Sequence, residues 1–357
     1  MSAAYLLAAV SPASPSFGGR KAASTPLADN AGHSDAIWTA GWARKAGGGE
    51  IVATAGADHT IKTWDPTNPN TPTRTIRPPK SLGIVSLDID KNEQGASFLV
   101  SSSLDSVISR WSLEGEQEGR KELGPAEAWD VSLHPRTEIL ATAGQEGRVR
   151  VLSASADGFG EELALLDAAG SFGMAVEYSK SGSLLAAAGE TGYVSLFDAE
   201  TGTLISSFPA HSAPIRSLSF TSNLLVTGSD DKRINVFDLR ALTSTSGSAG
   251  AGGRRGQVAS LGGHDGWVVN VSARNDRLLA SGSSDGTIKL FDLSSPSSAL
   301  STLRDHTGDV WALAWAPEQA GAAPAVEGLG GAGAGLGGGR LVTGGEDGKV
   351  RWWRGGG

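Results

Sequence analysis

The sequence contains no cysteine, and this absence removes several kinds of chemistry at once. Among its 357 residues there is no disulfide, no thiolate nucleophile and no cysteine-based zinc site. No apolar run approaches the roughly 18–20 residues of a membrane-spanning helix. Basic residues are also scarce: 30 Lys and Arg against 38 Asp and Glu give a net charge of -8. This charge opposes direct nucleic-acid binding, which needs a basic footprint.

Enzyme motifs are missing as well. The sequence has no G-x-S-x-G, Walker or Rossmann motif in the strand-to-helix context that each of them needs. The recurrent acids fall in turns, where hydrogen bonds to the backbone account for them. We therefore predict a non-enzymatic protein with no catalytic residue, no metal ligand and no cofactor.

Glycine, in contrast, is abundant, with 50 of 357 residues, which suits a chain with many tight turns. A short pattern recurs along this chain: a turn residue, usually acidic, is followed six residues later by an aromatic or aliphatic anchor, and often then by Asp. The seven copies are DHTIKTWD (58–65), DSVISRWS (105–112), EGRVRVLS (146–153), TGYVSLFD (191–198), DKRINVFD (231–238), DGTIKLFD (285–292) and DGKVRWWR (347–354).

The anchor residues of these copies give the length of the repeat. They are Trp64, Trp111, Leu152, Phe197, Phe237, Phe291 and Trp353. The first four intervals are 40–47 residues, and the last two are 54 and 62 residues. A period of 40–47 residues with a W-D signature is typical of four-stranded propeller blades. Apolar and polar residues alternate, and no segment has a helical period, so the sequence predicts an all-β, seven-bladed propeller.

The predicted domain organisation is an N-terminal extension (1–32) followed by the propeller (33–357). The last copy is followed by only three glycines, so the seventh blade needs a fourth strand from elsewhere, which would close the ring and cover an exposed edge. Tyr5–Val10 is favoured for this strand by its apolar content, and Ala22–Leu27 is the alternative by its distance from the first blade.

The N-terminal extension has a second interpretation. It is rich in Ala and Ser and has no acid before Asp29, as organelle transit peptides do, but Arg20 and Lys21 are its only basic residues. We favour a disordered tail that contains the closing strand over a cleaved targeting segment. Two inserts rich in Gly, Ala and Ser, 243–256 and 317–339, are predicted to be flexible loops on the rim.

Four of the six histidines precede the first strand of a blade. A catalytic or metal site would gather different residues from different places, whereas these histidines repeat with the fold. We predict that each one hydrogen-bonds the turn acid of its own blade in a buried network that fixes the blade corner. The histidines are His33, His211, His264 and His306, and their acids are Asp58, Asp231, Asp285 and Asp347.

A second set of candidates lies where each first strand begins, on the face of the propeller that we call the top face. Counted from the histidine or its equivalent, side chains at offsets of three and five residues are predicted to point there. Offset five gives Trp38, Val85, Trp129, Met174, Arg216, Val269 and Trp311; offset three gives Ala36, Gly83, Glu127, Phe172, Pro214, Trp267 and Asp309. Blades 3 and 4 lack the histidine, and they are aligned on Val131 and Val176.

From these positions we predict a partner-binding surface, because exposed aromatic patches mark protein interaction sites. The alternative is that the tryptophans only line the central channel. Arg216 and Glu127 are expected to add polar selectivity at the edge of this largely aromatic, weakly charged ring. The predicted surface consists of Trp38, Val85, Glu127, Trp129, Phe172, Met174, Arg216, Trp267, Val269 and Trp311.

Several segments resemble one family of WD-repeat propellers, the small WD-repeat subunit of the superkiller RNA-decay complex. They are HSDAIWTAGW (33–42), SSSLD (101–105), GPAEAWDVSLHP (124–135), HSAPIRSL (211–218), VTGSDD (226–231) and GWVVNV (266–271). The resemblance covers residues 33–316 and the final strands. The N-terminal extension and the two inserts depart from the usual pattern. So do Ser171, Phe172 and Gly173 before blade 4, and Gln145 and Glu146 at the turn of blade 3.

This resemblance implies a scaffold that is not an enzyme. Subunits of this kind bind a tetratricopeptide-repeat scaffold beside an RNA helicase that feeds the cytoplasmic exosome, and in animals and plants a similar subunit serves the polymerase-associated elongation complex. Family members grip partner segments with an aromatic top face, which here corresponds to Trp38, Trp129, Trp267 and Trp311. The resemblance therefore implies a monomeric propeller within a hetero-complex, in nucleus and cytoplasm. The alternative is an adaptor of another assembly, such as a ubiquitin ligase or a histone-peptide reader.

Overall fold

A computed structural model of the protein describes residues 32–79, 81–168, 170, 172–244, 255–296, 298–318 and 339–354. The two candidates for the closing strand, Tyr5–Val10 and Ala22–Leu27, lie outside the described residues. So do most of the two inserts. The described chain is all-β apart from one short helix, and its strands form seven separate antiparallel sheets.

The first four sheets each have four strands in chain order. Blade 1 consists of β1 (Ile37–Arg44), β2 (Glu50–Gly56), β3 (Ile61–Trp64) and β4 (Arg74–Ile76). Blade 2 consists of β5 (Ile84–Ile89), β6 (Phe98–Ser103), β7 (Val107–Ser112) and β8 (Gln117–Glu122). Blade 3 consists of β9 (Asp130–Leu133), β10 (Ile139–Ala143), β11 (Arg148–Ser153) and β12 (Glu162–Asp167). Blade 4 consists of β13 (Gly173–Tyr178), β14 (Leu184–Gly189), β15 (Tyr193–Asp198) and β16 (Leu204–Pro209).

The last three sheets complete the propeller. Blade 5 consists of β17 (Ile215–Phe220), β18 (Leu224–Ser229), β19 (Ile234–Asp238) and β20 (Gln257–Leu261), with the helix α1 (Leu239–Thr243) between its third and fourth strands. Blade 6 consists of β21 (Val268–Ala273), β22 (Leu278–Ser283), β23 (Ile288–Asp292) and β24 (Ser301–Leu303). Blade 7 has three strands within the described residues, β25 (Ala312–Trp315), β26 (Arg340–Gly344) and β27 (Val350–Arg354).

The first strand of each blade lies innermost, and these strands form the wall of the central channel. Each packs against the first strand of the next blade, and β25 packs against β1, so the ring is closed. The prediction of a seven-bladed all-β propeller is confirmed. Blades 3 and 4, whose sequences depart from the repeat, are regular four-stranded sheets.

The apolar core lies between adjacent blades. The repeat anchors fill it: all seven are at most 3% exposed. Between blades 7 and 1, for example, Trp64 packs with Ile37 and Val342. Because each cluster takes residues from two neighbouring sheets, burial of apolar surface holds the blades to one another as well as internally.

One detail differs from the sequence analysis. The helix α1 was not expected; Asp238 caps it by accepting a hydrogen bond from the backbone N–H of Arg240, and Leu242 is fully buried against blades 4 and 5. The first insert begins at the end of this helix and returns into β20, so it separates two strands of blade 5. The second insert separates β25 from β26 in blade 7.

Candidate functional site

All four predicted pairs of histidine and aspartate are joined by hydrogen bonds at the corners of blades 1, 5, 6 and 7. The distances from Nδ1 to the nearest carboxylate oxygen are 3.0 Å (His33 and Asp58), 2.9 Å (His211 and Asp231), 3.0 Å (His264 and Asp285) and 3.0 Å (His306 and Asp347). All four histidines are buried. The site residues predicted as structural are therefore brought together in pairs, one pair to a blade.

In blades 1 and 7 the network is longer. The indole Nε1 of Trp64 donates to Thr54 Oγ1 (2.8 Å), and the same oxygen lies 2.8 Å from His33 Nε2. An indole N–H is only a donor, so the threonine hydroxyl proton is left for His33 Nε2. This pattern places the imidazole proton on Nδ1, where it is donated to Asp58. Trp353, Thr343 and His306 repeat the arrangement in blade 7.

The pKa values of these groups follow from the pairing. Burial alone would raise the pKa of Asp58, but hydrogen bonds from His33 and Thr60 outweigh it and hold this pKa well below the usual range. The pKa values of Asp285 and Asp347 are lowered in the same way, against burial, by hydrogen bonds that include those from their histidines. At neutral pH these carboxylates are charged acceptors.

The seven side chains at offset five all line the mouth of the central channel, which has a volume of about 1020 Å³. Each stands at an irregularity of the first strand. In five blades the pairing between the first two strands skips one residue, and the skipped residues are Trp38, Val85, Met174, Arg216 and Val269. In blades 3 and 7, Trp129 and Trp311 directly precede the strand. A β-bulge re-aims the extra side chain, which explains why these positions converge on the mouth.

Blades 1 and 2 meet at the mouth through Trp38. Its ring lies directly over Gly83, where a Cβ atom would approach to within 2.5 Å of the ring carbons. Glycine at this position therefore leaves the space that the indole occupies. Leu82 and Leu104, beside it on the top of blade 2, are 51% and 43% exposed. This part of the rim is an apolar surface open to solvent.

Blades 3 and 4 meet through an aromatic pair. The rings of Trp129 and Phe172 are 5.6 Å apart in an edge-to-face arrangement. Glu127, in the loop before Trp129, forms an ion pair with Arg150 (2.7 Å) and accepts a hydrogen bond from the backbone N–H of Gly124 (2.7 Å). The carboxylate of Glu127 therefore has partners within its own blade, and its role in selectivity stays a prediction.

Blades 5 and 6 meet through Arg216 and Trp267. Arg216 forms a two-pronged ion pair with Asp230 (2.7 and 2.8 Å), and its guanidinium lies 5.2 Å from the centre of the Trp267 ring. Trp267 is 47% exposed, the most exposed aromatic of the predicted surface. Val269, by contrast, is only 5% exposed and contributes little area to a partner. The remaining mouth residues are half-buried.

Below the mouth, the channel carries charged side chains that the sequence analysis missed. Asp88, Asp130 and Glu177 project from β5, β9 and β13, and Lys91 and Lys180 stand near them. Lys91 Nζ is 3.0 Å from Asp88 Oδ2, and Glu177 Oε2 is buried with no hydrogen-bond partner. These acids occupy offsets six and eight of the first strand, one and three residues beyond the mouth position. Continuing the count along the strand would have found them.

Burial raises the pKa of Glu177 to about 8, and the ammonium group of Lys91 only partly opposes this rise. Burial likewise raises the pKa of Asp130 to about 6, although Ser86 and two backbone N–H groups donate to its carboxylate. Burial lowers the pKa of Lys91, but Asp88 and Glu177 outweigh it and leave this pKa above its usual value. The channel beneath the mouth is therefore more strongly charged than the weakly charged ring that the sequence predicts for the mouth itself.

Some of these acids also have a structural task. In blades 2, 3, 4 and 6, side chains of the preceding blade accept hydrogen bonds from backbone N–H groups on the open edge of the first strand. Examples are Leu87 N to Thr39 Oγ1 (3.2 Å), Leu133 N to Asp88 Oδ2 (2.8 Å), Val176 N to Asp130 Oδ2 (2.9 Å) and Val271 N to Ser217 Oγ (3.2 Å). In blades 1 and 5 a hydroxyl group accepts this hydrogen bond. The carboxylates of blades 2 and 3 therefore add a negative charge that the hydrogen bond between the blades does not require.

Two further observations concern metal ligands and membrane-spanning helices. Among the described residues, no three His, Asp or Glu side chains are arranged to hold a metal ion. Within the same ranges there is also no helix long and apolar enough to span a bilayer.

Comparisons with known proteins agree with this geometry. A model of the WD domain (G-beta repeat) matches residues 24–65 and 297–354, and a model described as "Nucleolar protein 10-like, N-terminal domain" matches residues 169–321. WD repeat-containing protein SL1-17 of Schistosoma mansoni is 31% identical over 221 residues, which cover 61% of this chain and 71% of that protein. The chain belongs to the WD-repeat family.

Two other WD-repeat relatives are more distant or more partial. Meiotic recombination protein rec14 of Schizosaccharomyces pombe is 27% identical over 191 residues, which cover 52% of this chain and 61% of that protein. WD repeat-containing protein slp1 of the same yeast is 30% identical over 145 residues, 40% of this chain and 27% of that protein. WD-repeat propellers are generally scaffolds for protein interaction, and this is the coarse role that the family gives to the present chain.

Proposed function

We propose that this WD-repeat protein is a non-enzymatic scaffold subunit that holds segments of partner proteins on its top face. The observation that carries the proposal is the convergence of seven side chains at the channel mouth, five of them at positions that the strand pairing skips. Three of them are tryptophans and one is a methionine. Tryptophan and arginine are the residues that most often anchor a partner in an interface.

The assembly we propose is the superkiller complex, the polymerase-associated elongation complex, or both. The support is the resemblance of the segments around Trp38, Trp129, Arg216 and Trp267 to the small WD-repeat subunit of these complexes, since the same segments form the rim of the channel. The partners would be a tetratricopeptide-repeat scaffold with its RNA helicase, or elongation-complex subunits. Such partners place the protein in cytoplasm and nucleus.

The acids of the channel favour a second candidate, an adaptor that reads a basic peptide such as a histone tail. Asp88 and Asp130 lie beneath the mouth, where an inserted lysine or arginine would reach them. Lys91, 3.0 Å from Asp88, weakens this attraction. We therefore rank apolar docking at the mouth above basic-peptide reading.

The first experiment is a pull-down of the tagged protein from native extract, read by quantitative mass spectrometry. We compare wild type with a Trp38→Ala/Trp129→Ala variant and with Leu204→Ala, a control whose side chain is 49% exposed at the opposite end of blade 4. Wild type and the control are expected to recover a tetratricopeptide scaffold and helicase, or elongation subunits, and the folded double variant is expected to lose them.

Each other outcome has a definite meaning. Retention of the same partners by the double variant would support the assembly and contradict the site. Recovery of recombination factors instead would follow the relative that is named for meiotic recombination. Raising the salt concentration separates the two binding modes, because apolar docking weakens little with salt whereas basic-peptide reading weakens strongly.

A further inference from the structure

Neighbouring blades are joined at a recurring position below the mouth, offset eight of the first strand. In three blades the side chain at this position accepts a hydrogen bond from a backbone N–H of the next blade. These bonds are Leu133 N to Asp88 Oδ2 (2.8 Å), Tyr178 N to Ser132 Oγ (3.1 Å) and Ala273 N to Ser219 Oγ (3.0 Å). In blade 4 the residue is Glu177, whose Oε2 is buried without a hydrogen-bond partner among the described residues. Glu177 therefore has an acceptor that the joint between blades does not use.

The other two acids of this part of the channel are already occupied. Asp130 accepts hydrogen bonds from Ser86 Oγ (2.6 Å) and from two backbone N–H groups (2.9 Å each). Asp88 is paired with Lys91 (3.0 Å). Of the three acids, Glu177 alone has an open acceptor, and a buried acceptor without a partner is costly.

The charges around Glu177 do not balance. The groups that act on it from blades 2, 3 and 4 are Asp88, Lys91, Asp130 and Lys180. On its other side, β17 has one charged residue, Arg216, which is paired with Asp230 at the mouth. With every group ionised, three acids face two lysines, so this part of the channel is one positive charge short. A proton supplies it at neutral pH, since burial raises the pKa of Glu177 to about 8.

The channel has room for a larger cation at this level. The residues at the same offset on the other first strands, apart from Asp88, are small, and all of them line the same cavity of about 1020 Å³: Gly41, Ser132, Ser219, Ser272 and Ala314. Within the described ranges no three acidic or histidine side chains are arranged around a metal ion. An ammonium or guanidinium group, in contrast, needs only one carboxylate for a charge-assisted hydrogen bond. The geometry therefore favours an organic cation.

We propose that the channel binds one organic cation, an ammonium or guanidinium group at the end of an alkyl chain, on the carboxylate of Glu177. The cation takes the place of the carboxyl proton, which is released to solvent. The group belongs to a lysine or arginine of a partner protein or to a free amine, since the recognising chemistry is the same. This site goes beyond the function proposed above, because it does not need the top-face residues and apolar docking at the mouth does not need Glu177.

The test titrates the full-length protein with three probes by isothermal titration calorimetry. Two are capped glycine pentapeptides with a central lysine or a central norleucine, which has an alkyl chain of the same kind without the ammonium group. The third is n-butylammonium. At pH 8.5 the lysine peptide is expected to bind with a dissociation constant of about 1 mM or below, and the norleucine peptide about tenfold or more weakly than that.

The pH dependence of binding identifies the group that is involved. The lysine ammonium stays charged throughout the range, whereas Glu177 must lose its proton. The lysine peptide should therefore bind about tenfold or more tightly at pH 8.5 than at pH 6.5. At pH 7, comparison of buffers with different ionisation enthalpies should show about one proton released for each peptide bound.

Three variants locate the site. Glu177→Gln is expected to weaken the lysine peptide about tenfold or more at pH 8.5 and to remove both the pH dependence and the proton release. Glu190→Gln, the same change at an exposed residue after β14 of the same blade, is the matched control and should bind like wild type. Lys91→Met removes a competing positive charge and should tighten binding, an effect that a merely structural role of Glu177 does not predict.

The two sources of the cation are distinguished by the third probe. If n-butylammonium binds like the lysine peptide, the site accepts free amines; if only the peptide binds, the cation comes from a partner protein, and both results support the proposal. It is overturned if neither probe binds at millimolar concentration, if the norleucine peptide binds equally well, or if Glu177→Gln keeps the affinity and pH dependence of wild type. Displacement of the peptide by an equal concentration of potassium chloride would also overturn it, since the site would then hold an inorganic ion.

Discussion

Blades 1, 5, 6 and 7 differ from blades 2, 3 and 4 in what their equivalent positions in the repeat do. The first group has a buried pair of histidine and aspartate at every corner, and below the mouth its inner strands carry small, uncharged side chains such as Thr39, Ser217 and Ala314 toward the channel. The second group lacks the pair and carries the channel charges Asp88, Asp130 and Glu177.

The second group also carries the apolar rim, where Leu104, Trp129 and Phe172 lie. The same repeated unit therefore serves mainly to fix the blade corner in the first group and to carry the channel charges in the second. Where the corner is fixed by a buried network, the loop has a structural task even when it also exposes a side chain, as it does with Trp267 in blade 6. Where the network is absent, the loop does not have this task. The backbone of the second group even tolerates strain there, since Ala126 has φ 57°, a conformation that favours glycine.

The largest expected effect breaks the corner network of the first group. His306→Ala opens a buried cavity and removes one hydrogen-bond partner each from Asp347, which keeps Arg351, and from Thr343, which keeps Trp353; it should lower the free energy of unfolding by about 3 kcal/mol. Ser101→Ala in blade 2 removes only the acceptor of the Trp111 indole (2.9 Å) and should cost about 1 kcal/mol. Urea denaturation of both variants measures the difference. Equal losses would show that the corner pair is no more important than an ordinary buried hydrogen bond.

The next effect concerns binding in the two groups. Trp129→Ala should weaken the partner found by the pull-down about 30-fold, equivalent to about 2 kcal/mol, because the indole forms the apolar rim with Phe172. Trp311→Ala, at the same position in blade 7, should weaken it less. Titration of purified partner against both variants makes the measurement, with thermal melting to show that each is folded. A larger loss for Trp311→Ala would move the binding region to the other side of the ring.

The two groups of blades should differ in how their stability depends on pH: the first should lose stability in acid, and the second should lose it in base. Burial lowers the pKa of His264 and His306, so their folded forms bind fewer protons than the unfolded chain, and the stability they contribute is lost as pH falls through the range below about 6.5. The pKa of Glu177 is raised to about 8, so its folded form binds more protons, and stability is lost as pH rises from about 4.5 to 8.

Glu177→Gln removes the second effect alone. Relative to wild type, this variant should gain about 1 kcal/mol of unfolding free energy at pH 8.5 and nothing at pH 4.5, while its loss of stability in acid is unchanged. Denaturation curves across this range provide the comparison. A constant offset at every pH would mean that the carboxyl group is not protonated in the folded channel.

The smallest effect tests the strained loop. Ala126→Gly relieves the positive φ before Trp129 and should change the free energy of unfolding by less than about 1 kcal/mol, in the stabilising direction. Ala36→Gly, at the matching place in blade 1, lacks this strain and should not stabilise. Differential scanning calorimetry of the two variants is sufficient.

The fold was predictable because the anchors recur with a fixed period, and a period survives local departures such as Gln145 and Glu146. The corner pairs were predictable for the same reason. The mouth positions were found by counting from the histidine. The β-bulge that directs five of them toward the mouth depends on strand pairing and could not be predicted from the sequence. The pairing of Glu127 with Arg150, the charges below the mouth and the helix α1 were missed, because they depend on contacts between strands or on residues that occur in one blade only.

The residue that the pairing skips in five of the seven first strands has an evolutionary consequence. A position that pairs with nothing can change its side chain without disturbing the hydrogen bonds on either side, so selection for a new partner need not compete with selection for folding. In these five blades, the channel mouth therefore has one position each at which the side chain can vary independently of the others. Related chains can diverge in what they hold while the ring that displays it stays the same.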